Sequence, residues 1–228
     1  MGLIRNTIWL TSLLTGIFTL ALGVGLVSEA GAGVFFNNAN LPPESDPPNC
    51  NSLVSFYTGT GIHPAYPGPI QMRNPRYKCF QNVYRQAIGM DEQETFDCMW
   101  ECDIDLGSGP MPVTLTGIGT HMVYGRLYST SGLFDCEIVS LDVSGIAGGY
   151  HFQLRESPYL QSPGMTDIQD VGGGLYEIDS FFDVYTELSI DGGPWMPQTT
   201  QAARIILVEV ASVLHQPTSW GAIKALYK

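Results

Sequence analysis

The chain has 228 residues, a formal net charge of −12 and only 14% charged side chains, against roughly 25% in ordinary globular proteins. The acidic balance argues against a nucleic-acid binder, because such proteins neutralise phosphate with lysine and arginine. An aromatic content of 11% argues against a disordered chain, and 26 glycines with 15 prolines suit short strands joined by turns.

In chain order, Arg5 and the apolar run from Ile8 to Val27 read as an export signal over residues 1–32. Ala30-Gly31-Ala32 fits a small-residue cleavage site, with Ser28-Glu29-Ala30 as the alternative. The run is also long enough to just span a bilayer, so an uncleaved anchor stays open as the one membrane contact. The remaining residues, 33–228, are expected to be soluble, and secreted or held at the cell surface.

Residues 33–94 read as a Pro- and Asn-rich, loop-rich segment. Leu41 to Pro48 suits a stiff linker, and His63 to Pro69 holds three prolines, too many for a central strand. Cys79 to Ile88 fits a short helix or a strand, with no period to decide. The five cysteines, Cys50, Cys79, Cys98, Cys102 and Cys136, are disulfide candidates in an exported chain. Cys50 with Cys79 is the favoured pair, with a second bridge expected among the other three. The odd cysteine is then free or pairs between chains. Zinc is disfavoured, since no companion pair matches Cys98-x3-Cys102, and His121 and His151 stand alone.

Strands are expected over residues 95–214. Met111–Thr116 and His121–Tyr124 read as short strands separated by glycines. Phe134–Val143 alternates, with Val139, Leu141 and Val143 on one side. Tyr150, Phe152 and Leu154 point inward, and His151, Gln153 and Arg155 outward. Ser157–Gly174 reads as a turn-rich connection. The next strand sends Phe182, Val184, Thr186, Leu188 and Ile190 to the core and Asp183, Tyr185, Glu187 and Ser189 to water. Asp191-Gly192-Gly193 then supplies a hairpin turn. Ala203–Val210 is a near-continuous β-branched run, suited to a strand buried on both faces or to a final core strand. Without crossover helices, this pattern predicts an all-β fold, an antiparallel β-sandwich of Greek-key or jelly-roll type. Residues 215–228 form a distinct tail. Trp220, Ile223, Leu226 and Tyr227 sit at helical spacing and suit a short docking helix.

Candidate chemistry is sparse. Asp183 and Glu187 share a strand face but stand roughly 13 Å apart along it, more than glycosidase carboxylates usually do. They read first as a solvated polar face. Asp103 and Asp105 enter a glycine turn as calcium loops do, yet the ligand set is incomplete. Asp167 and Asp170 before Gly172-Gly173-Gly174 form a second such candidate. Calcium is the one cofactor the residues suggest. No Gly-x-Ser-x-Gly elbow occurs. Tyr185 and Trp195, with Tyr159, could stack on sugar rings.

Leu133–Gly145, Leu154-Arg-Glu-Ser-Pro158, Ser162-Pro-Gly164 and Gly172–Gly193 together resemble a group of secreted bacterial proteins with a Ser-Phe-Phe-Asp-Val-Phe-Thr-Glu-Leu-Ser-x-Asp-Gly-Gly signature. Tyr185 stands where that signature has Phe. The resemblance covers about residues 133–197 and implies an extracellular β-rich domain with no catalytic residues to carry over. The ending Ser219–Lys228 is similar to short C-terminal endings on other exported bacterial proteins, which implies a sorting tag. The leading expectation is a non-catalytic protein with a surface, matrix or assembly role and a capacity for self-association. The alternative is an extracellular glycan- or calcium-binding module. A hydrolase built on Asp183 and Glu187 is the third reading.

Overall fold

The computed structural model describes residues 33–42, 50, 55–61, 63–127 and 129–209. Twelve strands occur among them: β1 (Val34–Phe36), β2 (Ser55–Gly59), β3 (Gln71–Ile88), β4 (Asp91–Asp105), β5 (Pro110–Val123), β6 (Gly132–Ala147), β7 (Tyr150–Glu156), β8 (Ser162–Gly172), β9 (Leu175–Val184), β10 (Thr186–Ile190), β11 (Met196–Pro197) and β12 (Ala203–Glu209). No helix appears among the described residues. The helix expected over 215–228 and the signal over 1–32 lie outside them.

The all-β expectation holds and the sandwich does not. Strands β2, β3, β4, β5, β6, β8, β9 and β12 form a closed antiparallel ring, in which β12 pairs with β2 from Ile205↔Gly59 to Glu209↔Ser55. This is an eight-stranded barrel. A Greek-key sandwich needs strands that switch between two sheets, whereas here nearly every strand pairs with its neighbour in sequence and β12 closes on β2. Long strands make closure feasible: β3 has 18 residues and β6 has 16, and bulges let them coil.

The bulges also explain why part of the chain misreads as loop. β3 lies inside the segment taken as loop-rich, yet it is the longest strand. Asn74, Cys79 and Asn82 within it adopt positive φ of 51°, 60° and 52°, and the β3–β4 register shifts around them. Each shift breaks the alternation a strand is recognised by, and Pro75 is tolerated beside one of them. The same cause corrects β6. Phe134, Cys136 and Ile138 point inward, a shift against β5 follows, and Leu141 and Val143 resume the inward face. Val139 sits at the shift rather than on the inner face.

The two short strands expected at 111–124 are one strand, β5, running through Gly117 and Gly119. Gly119 faces inward, and a Cβ there would strike the Tyr77 hydroxyl and lie 2.9 Å from the Phe96 ring. The glycine makes room for rings rather than ending a strand.

Those rings fill the barrel. Tyr77–Phe80, Phe80–Phe96, Phe96–His121, His121–Phe182 and Phe182–Tyr57 have centroids 4.9, 5.2, 4.8, 4.7 and 5.4 Å apart. They form a circuit across β2, β3, β4, β5 and β9, all buried. An eight-stranded barrel has an interior that side chains can just fill. Outward positions carry Asp97, Glu101, Asp103, Asp179 and Asp183. That polarity is opposite to a barrel in lipid, whose outer band is apolar. β12 sends Ala203, Ile205 and Leu207 inward and leaves Ile206 and Val208 half-buried, so it is the closing core strand and not one buried on both faces.

Candidate functional site

Three neighbouring strands break at one level. β7 and β8 are halves of one strand against β6, separated by 157–161. β9 and β10 are likewise separated by Tyr185, and β11 and β12 by 198–202. The aligned breaks make a crease in the barrel wall. Beside it lies an open cleft of about 580 Å³ lined by Thr60, Gly61, Asp183, Tyr185, Gln201, Ala202 and Arg204.

Hydrogen bonds lock the crease. The Ser157 amide donates to the Tyr185 carbonyl at 2.9 Å, and the Tyr185 amide donates to Ser162 Oγ at 3.0 Å. Ser162 Oγ donates in turn to Glu156 Oε1 at 3.3 Å. Ser157 Oγ accepts from the amides of Tyr159 and Leu160. On the buried side, Thr186 meets the Tyr66 hydroxyl at 2.6 Å and the Gln198 side chain at 3.2 Å. The segments 154–158, 162–164 and 172–193, which carry the resemblance, thus meet at one joint. Glu156 was not singled out from sequence. Burial pushes its carboxyl up to about 7, helped by Glu137 and Glu187 and opposed by the Ser162 hydroxyl.

On the acidic face of β9–β10, Asp183 and Glu187 are paired, and the face is only partly wet. Arg204 reaches Asp183 with two bonds of 2.9 and 2.6 Å and lies 4.1 Å from the Phe181 ring centroid. Arg155 reaches Glu187 with bonds of 3.0 and 2.6 Å and lies 4.1 Å from the Trp195 ring centroid. Each arginine stands directly across the ladder from its carboxylate. Glu187 and Ser189, expected in water, are 3% and 1% exposed. β11 and the turn before it fold over them. The arginines thus engage both oxygens of Asp183 and Oε2 of Glu187. Trp195 is occupied by Arg155, while Tyr185 lines the cleft and Tyr159 is 86% exposed nearby. The hairpin turn forms as expected: Asp191 and Gly192 both take positive φ, and the Gly193 amide donates to the Ile190 carbonyl.

Asp103 and Asp105 face outward on β4. Asp103 accepts from Asn74 at 2.8 Å. Asp105 accepts from the Gly107 and Gly109 amides at 2.8 and 3.0 Å, which hold its carboxyl below the usual range. Asp105 therefore closes the β4–β5 turn, and no cluster of three or more metal-ligating side chains occurs among the described residues. Asp170 closes the β8–β9 turn in the same way, accepting from Gly172.

Cys50 and Cys79 form the expected disulfide. The second bridge does not form, because Cys98, Cys102 and Cys136 are free and buried. Cys98 and Cys102 are four residues apart on one strand, roughly 13 Å, well beyond disulfide reach. All three behave as small apolar side chains, and burial pushes each thiol up to about 12.

A second polar cluster, unseen in the sequence, closes one mouth of the barrel. Glu94 is fully buried and Arg126 nearly so. Arg126 Nε lies 3.3 Å from Glu92 Oε1, and Arg85 Nε lies 4.0 Å from Glu94 Oε1. The same arginines donate to the carbonyls of Ala39 and Leu41, clasping residues 34–42 across the mouth. Burial drives the Glu94 carboxyl well above its ordinary range, opposed by Arg126 and helped by the adjacent Glu92. His121, below this cluster, is pulled down to about 3 by burial and is neutral. The one local sign of this cluster is Glu94, two residues before Phe96 and on the same inward face of β4; its arginines come from elsewhere in the chain. Comparison with family models, curated proteins and solved structures found no match for this chain.

Proposed function

We propose that the chain is a non-catalytic, exported barrel protein that acts through its outer surface, in a surface, matrix or assembly role. The observation that carries this reading is the state of the acids. Asp183 and Glu187 are each gripped by a two-point arginine, and the interior that would hold a substrate is packed with rings. The disulfide Cys50–Cys79 suits an oxidising compartment. A broad panel of glycan, peptide and ester substrates should give no turnover. Turnover lost on Glu187→Ala or Asp183→Ala would sink the reading.

One observation favours a second reading, a glycan-binding module. The cleft at the crease combines Tyr185, the Asp183–Arg204 pair, Thr60 and Gln201, an aromatic face beside polar groups of the kind that orient a sugar ring. A glycan array should then show a signal that Tyr185→Ala removes. A blank array discards it.

A further inference from the structure

We infer that the outer wall from Tyr185 to Arg76 binds an acidic glycan, a chain of sugar rings that carries a carboxylate, and that Arg76 takes the carboxylate. The inference rests on the glycan-binding reading of the crease. It adds a second cleft and names the class of glycan.

That second cleft has a volume of about 450 Å³ and adjoins the first across the end of β2. Thr60 and Gly61 line the crease cleft, and Thr58 and Gly59 line this one. It opens because β2 and β3 part. Their ladder holds only Tyr57↔Tyr77 and Thr58↔Arg76. The next β3 residue is Pro75, which has no amide hydrogen to extend the ladder. A Cβ on Gly59 would strike the Pro75 ring, so glycine is what lets the two strands pass. The bulge between Arg73 and Arg76 breaks the alternation, and Arg73, Asn74 and Arg76 all come out to water.

Arg76 differs from the other cations. Arg73, Lys78, Arg85, Arg126, Arg155 and Arg204 each reach a carboxylate. Arg76 is the one described lysine or arginine that reaches none. Glu101 stands directly across the ladder from it, but Lys78 takes Glu101 at 2.7 Å. The Arg76 guanidinium lies 5.7 Å from the Phe56 ring centroid and makes no hydrogen bond among the described residues. Its planar fork of donors is therefore open, and such a fork fits a carboxylate at two points. Around it the cleft offers acceptors, the Glu101 and Asp103 carboxylates, and the Thr58 and Thr114 hydroxyls. The two acids oppose a ligand that is anionic throughout, such as a phosphate backbone. A uronic acid ring meets both sides, with a carboxylate for Arg76 and hydroxyl protons for the acceptors.

The two clefts also set a length. Tyr185 and Arg76 are three strand spacings apart, through β12 and β2, or roughly 14 Å along the wall. That is more than one sugar ring, so the ligand is a chain, with one ring against Tyr185 and an acidic ring at Arg76.

Calorimetric titration of the full chain tests this, with a galacturonic acid oligosaccharide and with its methyl ester. The ester keeps the rings and hydroxyls and removes the charge. The acid is expected to bind about tenfold more tightly than the ester, as fits one charge-assisted pair. Arg76→Gln should bring the acid down to the affinity of the ester and leave the ester unchanged. Added salt should weaken the acid on the native chain and spare the variant. An unchanged Tm shows that the variant keeps the fold. Equal affinity for acid and ester, or an acid affinity that Arg76→Gln does not move, overturns the inference. If Tyr185→Ala still removes binding in that case, the glycan reading of the crease stands without it. Failure of both oligosaccharides to bind also overturns the inference, and the glycan array then decides the crease reading separately.

Discussion

The outer face of β9–β10 and the clasped mouth of the barrel both set carboxylates against arginines, with opposite consequences. At the crease, Arg204 is half exposed and Asp183 more than a quarter exposed, so water screens the pair and its net contribution is small. At the mouth, Arg126 is out of water beside Glu92, where pairing offsets a large desolvation cost and loss of one partner leaves an isolated charge, while burial drives the neighbouring Glu94 towards its neutral form. Glu187, 3% exposed with its arginine a third exposed, falls between. Burial, more than residue type or hydrogen-bond length, ranks these pairs.

The largest effect that can break this ranking is Arg126→Ala. It strips the counter-charge from Glu92 and a donor from the Ala39 carbonyl, and about 3–5 kcal/mol of stability should be lost in denaturant unfolding. Adding Glu92→Gln to that variant should recover part of the loss, because Glu92 is the carboxylate paired with Arg126. Glu187→Ala should come next, at about 1–3 kcal/mol. Arg204→Ala should cost under about 1 kcal/mol. A cost for Arg204→Ala equal to that for Arg126→Ala would overturn the ranking.

The mouth should also govern pH dependence, with two signs. Glu94 has a raised folded pKa, so its contribution is full below the unfolded value of about 4.3 and is lost as pH rises above it. His121 has a depressed one, so its contribution is present above about 6.5 and is lost as pH falls towards 3. Glu94→Gln should flatten the alkaline side of the stability profile and His121→Phe the acid side. An unchanged profile in Glu94→Gln would show that its carboxyl is charged in the fold.

Much of the barrel was legible because strand alternation is local. Phe182, Val184, Thr186 and Leu188 point inward as their spacing required, and Asp191-Gly192 turns as its residues demand. Closure was not legible, since β12 finds β2 across most of the chain and no local pattern encodes that pairing. β3 was hidden by the bulges at Asn74, Cys79 and Asn82. The crease was half legible. Asp183, Tyr185 and Glu187 were noticed as a polar face, but their arginines come from other strands and from far along the chain, so the acids looked free.

The central claim is that the paired acids of the β9–β10 stretch hold a joint together. A double-mutant cycle on Arg155 and Glu187, each changed to alanine and followed by denaturant unfolding, tests it most directly. The account predicts a coupling above about 1 kcal/mol between the two positions. Additivity within about 0.3–0.5 kcal/mol would contradict it.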